Sequence, residues 1–290
     1  MQKPLVFLSF VAILIASFLF FAQQEVMLSE SGRANLTVAF LDVGQGDATF
    51  IESPNGTQVL VDGGRGDAAV LRELPKFMSP FDRSIDVVIA THPDSDHIGG
   101  LIDVLARYEV KTIIMTNNVN DTPAYDAFMQ AVREEGVPIV YAMRGQIFDL
   151  GTGAMGSTTL TILFPDRDVT HLESNTASIV AQLSYGAADV LLTADSPDEI
   201  ETYLVDSDGA ALTSEVLKVG HHGSRTSTDP QFLAMVQPAF GIISAGKDND
   251  YGHPHKEVMD TLRQYGVETK NTADVGSIFM ESDGASIWFR

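Results

Sequence analysis

From residue 36 onward the chain alternates between short β-branched apolar runs and stretches whose apolar residues recur at helical spacing. Residues 36–43, 48–52 and 57–61 read as strands, with Ser53-Pro54-Asn55-Gly56 turning the second into the third. Strand–helix units follow: helices over 67–78, 97–108 and 123–135, with strands over 85–90 and 112–115. Thr122 as N-cap, Pro123 at the first helical position and Gly136 as stop bracket the third of these helices. Further strands are expected over 138–142, 158–164, 214–219 and 240–244, with two more around Gly186 between 177 and 193. Helices are expected over 197–205, 229–236 and 254–265, and a closing hairpin over 277–281 and 285–289 turns at Asp283-Gly284. Residues 151–156 carry three glycines and read as the most flexible loop. Strand pairs mixed with strand–helix units predict an α/β (α+β) domain over residues 36–290, two sheets covered by helices.

The first 35 residues follow a different pattern. Residues 5–22 form an uncharged apolar run of 18, the lower limit for a helix that spans a bilayer. Lys3 precedes the run and Glu25 and Glu30 follow it, an orientation that places the rest of the chain outside the cytoplasm. A membrane anchor over 1–22 is favoured over a cleaved signal peptide, because a cut after Ala22 puts bulky Phe20 where a small residue is usual; cleavage would make the protein secreted. Residues 23–35 read as a polar linker. The formal net charge is -21, and residues 1–35 hold two charges of each sign, so the acidity belongs to the globular domain. That opposes broad electrostatic adhesion to phosphate backbones or anionic lipid, so any nucleic-acid contact has to be local. With no cysteine, disulfides and thiolate metal sites are also excluded.

Polar residues gather where the apolar strands end. Thr91-His92-Pro93-Asp94-Ser95-Asp96-His97 packs two imidazoles and two carboxylates into one strand-to-helix loop, which points to a metal site. Asp62-Gly63-Gly64 and residues 42–47, with Asp42 and Asp47, end earlier strands, and each alone is also an ordinary turn. Asp195 directly follows a buried strand, where a charge needs a positive partner or serves as a helix N-cap. His221-His222-Gly223-Ser224 ends another strand, and packing gives little reason for two adjacent histidines there. His253 precedes a proline-started helix, a place where histidine is also common as a cap.

Taken in order, FLDVGQGDA, LVDGG, THPDSDHIGG, NTASIV, LLTAD, LKVGHHGS and YGHP resemble the metallo-β-lactamase superfamily, and within it the hydrolase domain of ComEC-type competence proteins. The resemblance implies a four-layer αβ/βα sandwich with two divalent metal ions at the rim between its sheets, zinc or manganese. By position it implies His92 and Asp94 on one ion, Asp96, His97 and His222 on the other, and Asp195 between them. Asp62 corresponds to a carboxylate that braces the histidine loop. Asp94 and Asn175 stand where the wider superfamily carries histidines, which makes the first ion site oxygen-rich; His171, four residues before Asn175, is a candidate replacement ligand. His255 stands where a small polar residue is usual.

The implied reaction is hydrolysis, with Asp96 as base and His221, His253, Ser224 and Arg225 as donors to charge developing on substrate oxygens. Arg225 and Lys247 place local positive charge in an acidic protein, which favours a phosphodiester, DNA among them. A cell-wall phosphoester or a β-lactam is the alternative substrate. A non-catalytic metal-binding partner in a DNA-uptake complex is the alternative of another class.

Overall fold

In the first strand, Leu36, Val38 and Phe40 face one hydrophobic core while Ala39 faces another, the two-residue period of a strand buried on both sides. The computed structural model describes residues 35–290. The expected membrane or signal segment over 1–22 and the linker up to residue 34 lie outside the described residues. Among the described residues no helix is long and apolar enough to cross a membrane.

The first sheet contains β1 (Leu36–Phe40), β2 (Thr49–Glu52), β3 (Gln58–Val61), β4 (Ser84–Ala90), β5 (Glu109–Met115) and β6 (Ile139–Tyr141). The second contains β7 (Ile147–Gly153), β8 (Gly156–Phe164), β9 (Val180–Tyr185), β10 (Ala188–Leu192), β11 (Val216–Lys218), β12 (Phe240–Ile243) and β13 (Glu268–Asn271). The chain then returns to the first sheet as β14 (Ile278–Ser282) and β15 (Ile287–Phe289), giving strand orders β15-β14-β1-β2-β3-β4-β5-β6 and β13-β12-β11-β10-β9-β8-β7. Both sheets are mixed: β3-β4-β5-β6 and β10-β11-β12-β13 run parallel, and the remaining pairs are antiparallel.

The facing sides of the sheets bury Val38, Phe40, Ile51, Ile89, Leu160, Leu183, Tyr185, Val190 and Leu192. Helices α1 (Ala69–Glu73), α2 (Ser95–Leu105) and α3 (Pro123–Glu135) supply residues to the core on the outer face of the first sheet. Helices α4 (Asp198–Asp208), α5 (Pro230–Val236) and α6 (Lys256–Gln264) do the same on the second. The result is the expected α/β sandwich with mixed sheets.

Several local expectations are corrected. The glycine-rich stretch 151–156 is the tip of the antiparallel hairpin β7–β8, because glycine at 151 and 156 takes positive φ and lets the ribbon bend. The helix expected over 67–78 is only five residues long before Pro75 converts the chain to a 3-10 turn at Leu74–Lys76. β13 lacks an apolar run, so alternation does not reveal it; it forms by parallel pairing with β12 at the sheet edge.

Candidate metal centre

Every polar cluster singled out at a strand end comes together at one end of the sandwich. Asp47 lies beyond β1, Asp62 beyond β3, His92 beyond β4, Asp195 beyond β10 and His222 beyond β11. Asp94 is the N-terminal cap position of α2 but makes no side-chain capping bond, and Asp96 and His97 sit in the first turn. Placing functional groups beyond the carboxyl ends of strands is the general habit of α/β sheets.

The backbone is forced into this arrangement. Of the eight non-glycine residues with positive φ among those described, four lie here: Asp62, Ala194, His221 and His222. Such conformations cost of order 1–3 kcal/mol each and persist where the surroundings fix them. Three loops are tied edge to edge, since Asp47 N donates to Asp96 O at 3.2 Å, Gly63 N to His97 O at 2.8 Å and Gly64 N to Asp47 O at 2.8 Å. Gly46 permits this approach: a Cβ there would lie 2.1 Å from Asp96 O.

His92, His97 and Asp195 each offer a donor atom within 4.8 Å of the others, and so do Asp96, His97 and His222. Asp195 lies between the groups, with Oδ1 3.3 Å from His97 Nε2 and Oδ2 3.4 Å from His222 Nε2. His222 Nε2 is 3.7 Å from Asp96 Oδ2, and His92 Nε2 is 3.8 Å from Asp94 Oδ2. Asp94 is aimed by Ser174 Oγ, which donates to its Oδ1 at 2.6 Å, and by Asn120 Nδ2 at 3.4 Å.

Behind these groups stand two bracing carboxylates. Asp62 accepts from Thr91 N at 2.9 Å and Thr91 Oγ1 at 2.7 Å, and its Oδ2 lies 2.8 Å from His97 Nδ1. His222 is braced by Ser244 O at 3.0 Å and by Asp47 Oδ1 at 3.2 Å from its Nδ1. Lys218, almost fully buried, holds Asp47 at 2.8 Å. The sequence reading passed over Lys218 and left Asp47 as a turn residue; the signal available was a lysine closing the otherwise apolar strand β11.

Burial pushes the His92 imidazole down to about 4, so it is neutral with a free lone pair at neutral pH. Burial also opposes charge on His97 and His222, yet Asp195 and Asp62 hold the former well above the usual imidazole range, while Asp195 and Asp47 hold the latter at about 9. Burial works to raise Asp195, but His222 and His97 keep it well below the carboxylate range. Burial raises Asp94, partly offset by the Ser174 hydroxyl.

The donor set fits divalent cations. His92 Nε2, His97 Nε2, His222 Nε2, Asp195 Oδ1 and Asn175 Oδ1 are buried without a hydrogen-bond partner. Orphaned buried polar atoms cost about 1–3 kcal/mol each. Divalent cations held here by His92, His97, His222 and Asp195 would satisfy these atoms.

The remaining sequence candidates divide. His221 Nε2 lies 3.6 Å from Asp195 Oδ2 and its Nδ1 is 3.0 Å from Thr226 Oγ1, so the ring sits at the cluster with an exposed edge. His253 packs against both histidines, ring centroids 5.6 Å from His221 and 6.1 Å from His222. Burial, with His222 and His221, pushes it down to about 4. Ser224 is buried and accepts from Thr226 N at 3.4 Å and Thr226 Oγ1 at 3.0 Å. Arg225 is exposed, and its backbone N donates to His255 Nδ1 at 3.1 Å. His171 is exposed, with Asp168 near it, whereas Asn175 follows the Ser174 that holds Asp94; neither Asp94 nor His171 belongs to the tight donor groups.

A family model described as the metallo-beta-lactamase superfamily matches residues 41–247. The chain belongs to the metallo-beta-lactamase superfamily. Within it, the chain is 30% identical to ComE operon protein 3 of Bacillus subtilis, over 87% of this chain and 33% of that protein. It is 27% identical to competence protein ComA of Neisseria gonorrhoeae, over 92% of this chain and 34% of that protein. The chain therefore spans about a third of the length of these relatives. Igni18, a metallo hydrolase from Ignicoccus hospitalis, shares the fold with a TM-score of 0.52 at 14% identity, covering 84% of this chain and 98% of that one. Superfamily membership, with the clustered donors, supports a metal-dependent hydrolase with a dinuclear divalent site.

Proposed function

We propose that this metallo-β-lactamase-fold chain is a phosphodiesterase or nuclease that acts on DNA or a related phosphodiester outside the cytoplasm. The observation that carries the reading is the donor set itself, in which Asp94, Asp96 and Asp195 stand beside His92, His97 and His222. Three carboxylates make the site oxygen-rich and suited to manganese as well as zinc. His92 and Asp94, with Asn175 beside them, would hold one ion, and Asp96, His97 and His222 the other, with Asp195 shared. When bound, such ions supply Lewis acidity and acidify water towards neutral pH.

The chain's own residues supply the rest. Asp96, partly exposed, is positioned to accept a proton. His221 and His253 present donors over the centre, and the exposed Arg225 attracts an anionic ester in an otherwise acidic protein. The extracytoplasmic setting draws on the apolar run at 5–22, and a part in DNA uptake draws on the competence relatives.

The test is hydrolysis of linear DNA, bis-p-nitrophenyl phosphate and a chromogenic β-lactam by the purified chain with manganese or zinc. The expected result is turnover of the two phosphodiesters, abolished by Asp96→Ala and His222→Ala. Turnover of the lactam alone would replace the substrate class. No turnover of any substrate with metal bound would favour the non-catalytic metal-binding partner.

A further inference from the structure

Beside the metal centre the loop between β12 and α6 carries three aromatic rings in a row. Tyr251 lies nearly parallel to His253, with centroids 5.6 Å apart and an interplanar angle of 21°, and His255 meets His253 edge-on at 4.9 Å. His253 is itself packed on His221 and His222, so the row begins at the metal donors and ends in solvent. Tyr251 is 57% exposed, and its ring is stacked on His253 rather than standing alone.

Asn249 does the building. Its Nδ2 donates to Gly246 O at 2.9 Å and His253 O at 2.6 Å, while its Oδ1 accepts from Tyr251 N at 3.1 Å and His253 N at 3.0 Å. The loop is also fastened to its neighbours: Gly246 N donates to Gln45 Oε1 at 3.2 Å, and Arg225 N to His255 Nδ1 at 3.1 Å. Tyr251 is thus held out on a fixed support. A rigid exposed ring with two rotatable bonds loses little entropy when a flat partner covers it.

We propose that Tyr251, backed by His253, is a stacking subsite for an unpaired nucleobase, so that the substrate is single-stranded nucleic acid held by one base beside its scissile phosphate. This rests on the phosphodiesterase reading and narrows its substrate. Every base offers a π-face, so a stacking platform grips a strand without reading its sequence. A base inside a duplex is covered on both faces by its neighbours and cannot lie on the ring. In a protein of net charge -21, where long-range attraction to the phosphate backbone is weak, local stacking is the available source of affinity.

The experiment uses the full chain and a short single-stranded oligonucleotide with one 2-aminopurine flanked by abasic residues. Its fluorescence is quenched when the base stacks, whether or not hydrolysis occurs. Wild type and Tyr251→Phe should quench it, and Tyr251→Ala should not. In hydrolysis assays wild type should favour the base-bearing strand over a fully abasic one by about tenfold in KM, and Tyr251→Ala should collapse that preference towards one. Circular dichroism checks that the exposed substitution leaves the fold intact. Equal quenching and equal preference in Tyr251→Ala, with phosphodiester hydrolysis intact, would overturn the subsite and leave the hydrolase reading standing. Tyr251-dependent quenching without hydrolysis of any phosphodiester would overturn the hydrolase reading and leave the base subsite standing.

Discussion

Replacing Lys218 by methionine strips the bracing carboxylate of its cation while keeping the shape of the side chain. Lys218 Nζ lies 2.8 Å from Asp47, with side chains only 2% and 7% exposed. Breaking a buried ion pair from one side costs about 3–5 kcal/mol, because the remaining charge is left desolvated. His222 Nδ1 stays 3.2 Å from Asp47 Oδ1 and offers partial compensation, so the loss should fall near the lower end, about 3 kcal/mol. In a domain of this size that corresponds to a fall in Tm of roughly 6–12 °C. The assay is urea unfolding of the metal-free chain followed by circular dichroism, with Asp47→Asn and the double variant completing a cycle. The double variant should lose less than the sum of the single variants, by about 0.5–3 kcal/mol of coupling. A Lys218→Met loss below about 1 kcal/mol, or strict additivity, would refute the reasoning that this pair is a buried structural brace.

Asp62→Ala removes the acceptor of Thr91 and the partner of His97 Nδ1, and should weaken zinc or manganese affinity about 10- to 100-fold in calorimetric titration; unchanged affinity counts against its bracing role. Gly100→Ala puts a Cβ 2.0 Å from Gly63 O, a backbone atom that cannot swing aside, so urea unfolding should show a loss of about 1–3 kcal/mol. Buried Glu201 accepts from Thr228 N and Asp229 N, both at 2.7 Å, and burial raises its carboxyl from 4.5 to about 8. Between those values the folded chain keeps a proton that the unfolded chain has released, so this group's contribution is fully present below pH 4.5 and lost as pH rises to about 8. Its slope is about 1.4 kcal/mol per pH unit, and Glu201→Gln should remove that slope from unfolding midpoints measured from pH 5 to 8; parallel profiles for the two proteins count against it.

Much of the candidate site was legible because its donor residues cluster in short loops after apolar strands. His92, Asp94, Asp96 and His97 lie within six consecutive positions, and the loop is recognisable without any knowledge of the fold. Asp195 and His222, read from the residues alone, are strand-end polar groups that only the family resemblance assigns to a metal, and parallel pairing of β10 with β11 is what sets them side by side. Asp47 and Lys218 were missed for a physical reason: their 171-residue separation is closed only when the two sheets pack, and a lone lysine after apolar residues looks like the end of a strand. Ser224 reads from sequence as a donor to substrate; in the fold its buried hydroxyl accepts from Thr226 N and Thr226 Oγ1, a pairing that adjacency to two histidines does not reveal. In the fold, strong β-branched runs revealed the central strands, while β13 owes its strand form to a neighbour rather than to its composition.

The central claim is tested most directly by the initial rate of phosphodiester hydrolysis as the metal-stripped chain is titrated with manganese or zinc. The proposed function predicts a rate that rises to a plateau at two ions per chain and is absent at every metal concentration when Asp195 is replaced by alanine. A chain that takes up two ions and still leaves DNA and bis-p-nitrophenyl phosphate intact would contradict it.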